Sequence, residues 1–132
     1  MVKVSDIARS SPAARRRFLD SLSPAEALVY LYEWPLWARE KQLMPDGPWR
    51  TFLLLAGRGF GKTIAGAQAT RRMVEEGRAG RIALVAPTAA DGRDVMAEGE
   101  SGILAISPPW ARPKYEPSPP RMFRSTWSTW KG

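Results

Sequence analysis

The sequence predicts an α/β fold: an incomplete parallel-sheet βαβ core, preceded by N-terminal helices and followed by an irregular Pro-rich tail. Strand and helix signals alternate between residues 49 and 106, which is typical of a parallel sheet. The 132 residues have the length of one ordinary domain, and 44% hydrophobic with 25% charged residues is typical of a globular protein. We therefore divide the chain into residues 1–48, 49–106 and 107–132.

Residues 1–48 carry two helix-start signals. Ser11-Pro12 is an N-cap followed by proline at the first helical position. Ser23-Pro24-Ala25-Glu26 is a capping box, and apolar residues follow it on one helical face: Leu28, Leu31 and Tyr32. Because α geometry is disfavoured immediately before a proline, this helix is expected to end before Pro35.

Residues 49–106 are predicted to form the βαβ unit. Thr51 to Ala56 is a short apolar run suited to a strand buried on both faces. Gly61 to Glu76 has helical periodicity, and Gly77 is placed to end that helix. Arg81 to Ala86 supplies a second buried strand, and Ala89 to Glu98 is expected to form a further helix.

The composition excludes several kinds of site. Neither Cys nor His occurs, so disulfides, thiolate or imidazole zinc sites and imidazole catalysis are excluded. The formal net charge of +7 favours a polyanionic partner without specifying one. No apolar stretch approaches the ~20 residues that cross a bilayer, and the N-terminus lacks the apolar core of a signal peptide. We expect a cytoplasmic protein with no membrane partner.

The turn between the first strand and its helix reads Ala56-Gly57-Arg58-Gly59-Phe60-Gly61-Lys62-Thr63. It matches the phosphate-binding P-loop pattern GxxxxGK[ST] at every defined position except the first, where Ala replaces Gly. Glycines let backbone N–H groups approach a triphosphate, and the positive end of the helix dipole points at it. Lys62 is expected to contact the β- and γ-phosphates, and Thr63 to offer its hydroxyl to Mg²⁺.

Purely structural alternatives exist for this turn. The first is a glycine-rich connection between strand and helix with an incidental Lys-Thr pair. Arg58 is either a cis arginine finger on the γ-phosphate or a solvated loop cation. It is the only candidate catalytic residue.

Three segments, in order along the chain, resemble the large terminase subunit, the DNA-packaging motor of tailed bacteriophages, prophages and gene transfer agents: Trp34 to Gln42, Trp49 to Thr63 and Arg81 to Asp91. The resemblance covers roughly Ser23 to Lys114. It implies ATP and Mg²⁺ as cofactors and an ATP-binding set in which Gln42 contacts adenine: Gln42, Gly57, Arg58, Gly59, Phe60, Gly61, Lys62 and Thr63. A polar linker residue is the alternative for Gln42.

The same resemblance implies DNA as a partner. Pro87 and Thr88 match a segment that faces DNA or couples to it, with a simple strand-ending turn as the alternative. The implied partners are double-stranded DNA, the small terminase subunit and the portal protein, and the implied location is the bacterial host cytoplasm.

The chain departs from the family pattern at the residues that ATP hydrolysis requires. No apolar run closing in Asp-Glu follows the P-loop helix, and the coupling motif and the acidic cluster of the nuclease do not occur. We therefore expect a truncated, N-terminal part of a terminase ATPase domain that binds nucleotide but is not a competent motor alone.

Two other functions remain open. A small P-loop kinase or NTPase would need further strands and an acceptor-binding lid. A basic nucleic-acid-binding module would use residues 107–132, where basic residues interleave with aromatic ones: Arg112, Lys114, Arg121 and Arg124 with Trp110, Tyr115, Phe123, Trp127 and Trp130. A disordered tail is the alternative there.

Overall fold

The computed structural model describes residues 4–116 and the backbone of residues 122–124. The chain divides into two compact units, Met1–Leu43 and Met44–Gly132. The helices are α1 (Val4–Ala8), α2 (Pro12–Asp20), α3 (Pro24–Leu31), α4 (Trp34–Trp37), α5 (Lys62–Glu75), α6 (Ala89–Asp91) and α7 (Ile103–Ile106). Single 3-10 turns lie at Glu40–Gln42 and Pro109–Ala111, and the strands are β1 (Lys114–Glu116) and β2 (Met122–Arg124). No helix in these ranges has both the length and the apolar character needed to span a bilayer.

The helix starts predicted in the first unit are confirmed. The Ser11 hydroxyl accepts from the Ala14 amide at 3.3 Å, and Pro12 opens α2. Ser23 and Glu26 form the predicted capping box: the Glu26 amide donates to Ser23 Oγ at 3.3 Å, and the Ser23 amide donates to Glu26 Oε2 at 2.9 Å. These bonds satisfy amides that a helix leaves unpaired at its N-terminus. α3 ends at Leu31, before Pro35 as predicted.

A small core and one arginine hold the first unit together. Ile7 on α1 and Leu36 on α4 are only 5% and 2% exposed, and the two helices pack against each other. Arg15 on α2 donates to the carbonyl oxygen of Ala8 and to that of Leu36. Its guanidinium therefore links α2 to the end of α1 and to α4 through backbone acceptors.

Helix α5 is the longest helix of the second unit and agrees with its sequence prediction to within one residue. Gly77, with φ of 67°, ends it. The Gly77 amide donates to Val74 O at 3.0 Å, and the Arg78 amide donates to Met73 O at 2.9 Å. This pair of bonds is the usual way in which a left-handed glycine closes a helix.

The core of the second unit forms where α7 packs on α5. Ala67, Ile103 and Ile106 are buried together, and Ile64 and Val74 pack against them. Ser107 is fully buried, and its hydroxyl donates to Ile103 O at 2.5 Å. The predicted helix after residue 88 is also present, as α6 followed by a π-helical stretch at Gly92–Ala97.

The predicted parallel-sheet βαβ core is wrong. Residues 51–56 and 81–86 form neither helix nor strand, and the two strands among the described residues form one antiparallel pair in which Tyr115 lies opposite Phe123. Apolar side chains of both segments face solvent: Leu53 is 70%, Leu55 83% and Val85 81% exposed.

The physical reason is that a strand is stabilised by neighbours and not by its own residues. A parallel strand needs hydrogen-bonded strands on its edges and helices over its faces. In the described part of the chain, no backbone hydrogen bond joins residues 51–56 to residues 81–86. Without such pairing, apolar residues of strand type form no strand and remain exposed.

The segment from residue 107 onward is partly packed. Ser107 and Pro108 are both less than 2% exposed. Beyond them, β1 pairs with β2 in antiparallel register. The predictions for residues 117–121 and 125–132 lie outside the described residues.

Candidate phosphate-binding loop

Two left-handed glycines shape the loop between residues 51–56 and α5. Gly59 has φ of 79° and Gly61 has φ of 88°, a region that residues with a Cβ enter only at a cost. The Phe60 amide donates to Gly57 O at 3.4 Å, which closes a turn between them. A Cβ placed on Gly57 or Gly59 would meet nothing within 4 Å. The backbone of the loop is therefore bare and open on its outer side.

The loop leads directly into the N-terminus of α5, whose 14 residues begin at Lys62. The residue before it, Gly61, has no side chain that caps the helix. The Ala65 amide bonds Gly61 O at 3.1 Å, so the three amides before it lack helical acceptors. Unpaired amides and the positive end of the helix dipole together favour an anion at this position.

Lys62 places its ammonium group on the same loop. Its Nζ donates to the carbonyl oxygens of Ala56 at 2.7 Å and Gly57 at 2.8 Å. An ammonium group has three protons to donate, so two are used by these carbonyls and one is left for another acceptor. The side chain thus folds back over the residues that open the predicted P-loop.

Arg58 and Thr63 are both exposed at this loop. Among the described residues, no carboxylate forms an ion pair with Arg58 or with Lys62. Within the described part of the chain, the site therefore carries two positive charges without a carboxylate partner, beside amides that have no acceptor inside α5. Thr63 lies one residue into α5, next to Lys62, where its hydroxyl is accessible to a bound cation.

Gln42 lies in the first unit and the loop in the second. It is 6% exposed, and its Oε1 accepts from the Arg39 amide at 2.9 Å, which caps the 3-10 turn Glu40–Gln42. The amide that was expected to recognise adenine therefore has a local structural role in this structure.

Thr88 caps the helix that follows it. Its hydroxyl accepts from the Asp91 amide at 3.0 Å and donates to Asp91 Oδ2 at 2.7 Å. Pro87 and Thr88 are both exposed. Their expected role in contacting or coupling to DNA stays a prediction.

Two ion pairs at α5 join oppositely charged residues that are four apart in the sequence. Arg71 Nε lies 2.6 Å from Glu75 Oε1, and Arg72 Nε lies 2.6 Å from Glu76 Oε1. The hydrogen bond from Arg72 is the main cause that lowers the pKa of Glu76. Oppositely charged residues four apart on a helix signal such pairs, and this signal is present at both positions.

The alternative nucleic-acid surface is only partly described. Arg112 and Lys114 are exposed, Trp110 is 49% exposed, and Tyr115 is partly buried. The other residues of that prediction have side chains outside the described part of the chain: Arg121, Phe123, Arg124, Trp127 and Trp130.

No metal-binding cluster complements the loop in the described ranges, where no three Asp or Glu residues are grouped to hold an ion. Comparison of the chain with protein-family models, with curated proteins and with solved structures finds no match.

Proposed function

We propose that this chain binds the phosphate groups of ATP through residues 57–63, with Mg²⁺ at the Thr63 hydroxyl. The observation that carries the proposal is the position of Lys62. Its ammonium lies on the Ala56 and Gly57 carbonyls, beside the helix turn whose amides lack acceptors. A cation, unpaired amides and bare glycine backbone are the groups that a polyphosphate requires.

The charges of the loop favour anion binding over a purely structural role as a turn. A turn needs only the left-handed glycines, whereas this loop also has Arg58 and Lys62 without a described carboxylate beside either. Charge-assisted hydrogen bonds to phosphate oxygens are stronger than bonds to neutral carbonyls. Phosphate is therefore expected to accept from the Lys62 ammonium, either through its third proton or in place of one of the two carbonyl acceptors.

The resemblance to the large terminase subunit extends this proposal to a process. We propose that the chain is the ATP-binding part of a viral DNA-packaging motor in the bacterial cytoplasm, with double-stranded DNA as substrate and the small terminase subunit and portal protein as partners. Three ordered sequence segments support this assignment.

The chain is expected to bind ATP without efficient hydrolysis. No apolar run ending in Asp-Glu follows α5 in the sequence. A carboxylate that activates water contributes orders of magnitude to phosphoryl transfer. The nucleotide should therefore stay bound and intact over the time of a binding measurement.

Calorimetric titration with Mg-ATP tests the proposal. Lys62→Ala should weaken binding by about tenfold or more, whereas Lys41→Ala removes an equally exposed charge from the first unit and should leave binding unchanged. Arg58→Ala is compared in the same way with Arg50→Ala, another exposed arginine. A wild-type chain that binds no magnesium nucleotide, or a Lys62→Ala variant that binds equally well, contradicts the proposal. Rapid hydrolysis that depends on Lys62 contradicts the expectation of binding alone.

A further inference from the structure

The groups that the loop at residues 57–63 presents all suit phosphate oxygens. They are the ammonium of Lys62, the guanidinium of Arg58 and the amides at the start of α5 that have no acceptor inside the helix. Each of these groups is a hydrogen-bond donor, and two of them carry a positive charge. Because the phosphate chain is the same in every nucleoside triphosphate, these groups hold that chain without distinguishing one base from another.

Recognition of adenine needs a different kind of group. Adenine presents a donor, its amino group, beside an acceptor, a ring nitrogen, whereas guanine has a second acceptor in place of that donor. An amide side chain reads adenine because it accepts from the amino group and donates to the ring nitrogen. A site that makes such bonds rejects a ligand that lacks their partners by orders of magnitude. Selection of ATP over GTP therefore calls for an accessible amide or an equivalent pair of groups.

Both amide side chains of the protein are buried. The sequence contains Gln42 and Gln68 and no Asn. Gln42 is 6% exposed in the first unit, and Gln68 is 9% exposed within α5. A purine must approach an amide as closely as solvent does, so burial to this extent keeps a base away from either side chain.

The acceptor of Gln42 is also engaged by its own chain. Gln42 Oε1 accepts from the Arg39 amide at 2.9 Å, and Arg39 Nε donates to the same oxygen at 3.5 Å. A carbonyl oxygen has two lone pairs, so these two contacts use the acceptor capacity of Oε1. The amide of Gln42 is thus committed to the 3-10 turn Glu40–Gln42, and an adenine amino group would compete with two local donors.

We propose that the site recognises the triphosphate chain and does not select the base. This inference rests on the proposed function, because it specifies the ligand of the same loop. The ligand class is any nucleoside triphosphate with Mg²⁺, and inorganic tripolyphosphate belongs to it because it has the chain alone. Affinity follows the number of phosphates, since each added phosphate brings further charged oxygens to Lys62 and Arg58.

Calorimetric titrations of the full chain compare Mg²⁺-saturated ATP, GTP, CTP and inorganic tripolyphosphate. A salt concentration of about 0.15 M screens contacts elsewhere on this basic chain. The affinities for ATP, GTP and CTP should agree within about threefold, and that for tripolyphosphate should lie within about tenfold of them. AMP is the matched control, because it keeps adenine and lacks two phosphates. It should bind at least about a hundredfold more weakly than ATP.

Two variants separate binding at the loop from binding elsewhere on the chain. Lys62→Ala should weaken the binding of ATP, GTP and tripolyphosphate by the same factor, about tenfold or more. Lys41→Ala removes an exposed charge from the first unit and should leave all three affinities unchanged. Circular dichroism checks that both variants keep their helices. The comparison among ligands uses the wild-type chain and therefore does not depend on the folding of either variant.

The results distinguish a failure of this inference from a failure of the proposed function. ATP that binds at least about tenfold more tightly than GTP and CTP, and loses this affinity in Lys62→Ala, overturns base-independent binding and supports the proposed function. Tripolyphosphate that binds more than about tenfold more weakly than the nucleotides does the same, because the nucleoside then contributes to affinity. If no ligand binds, or if Lys62→Ala binds all of them as tightly as wild type, both proposals are wrong.

Discussion

The ammonium of Lys62 donates to the carbonyl oxygen of Ala56, six residues earlier, at 2.7 Å. Ala56 is the position at which the loop departs from the P-loop pattern. Because the acceptor is its backbone carbonyl oxygen, the contact does not depend on the side chain there. The contact keeps the cation beside the amides at the start of α5. Phosphate binding at this loop therefore requires at most a local exchange of acceptors by Lys62 and no rearrangement of the helix.

Opposite effects are expected for two glycines near the start of α5. Gly61→Ala places a Cβ at φ of 88° and should lower the free energy of unfolding by about 1–2 kcal/mol. Gly66→Ala lies in the helix interior with open space around it and should raise that free energy by about 1 kcal/mol. Urea denaturation of both variants checks the signs. Equal effects would mean that Gly61 is not held in the left-handed region.

Exposure of residues 51–56 predicts tolerance to a polar substitution. Leu55 is 83% exposed, so Leu55→Gln should change the free energy of unfolding by less than about 0.5 kcal/mol. Ile103 is 3% exposed, and Ile103→Ala should cost about 2–5 kcal/mol through the cavity it leaves. A comparable loss in both variants, measured by thermal or urea unfolding, would show that Leu55 is buried in a sheet after all.

The Arg72–Glu76 pair predicts a dependence of stability on pH. The pair lowers the pKa of Glu76 below its ordinary value of 4.5, so its stabilisation is present above that value and is lost as the pH falls through the lowered one. Because both side chains are partly exposed, Glu76→Gln should cost only about 0.5 kcal/mol at neutral pH and nothing in strong acid.

Urea denaturation across the acid range, for wild type and variant, measures this difference. Glu100→Gln is the control, because Glu100 is exposed and forms no ion pair with a described residue. A Glu76→Gln effect that persists unchanged in strong acid would mean that the carboxylate charge is not its cause.

The helices were predictable because their signals are local. Ser11 and Ser23 cap helices within three residues of their own position, and Gly77 ends α5 one turn after its last apolar contacts. The glycines of the loop likewise predict a bare backbone wherever they occur. Such signals need no knowledge of the rest of the fold.

The parallel sheet was predicted wrongly because the residues of a strand do not indicate which other segment pairs with it. Leu53 and Val85 are residue types typical of a buried strand. Their burial depends on distant segments that the local pattern does not contain. The hydrogen-bond acceptors of Lys62 could not be predicted from the sequence either, because they are backbone carbonyl oxygens. The burial of Gln42 depends in the same way on its surroundings and not on its residue type.

The most direct test of nucleotide binding follows the backbone amides by ¹H–¹⁵N NMR during a titration with Mg-ATP. The largest shifts are expected at the amides of Gly59, Gly61, Lys62 and Thr63, and in Lys62→Ala the same shifts should need at least about tenfold more nucleotide. Shifts that occur only elsewhere, or none at saturating Mg-ATP, would contradict the account.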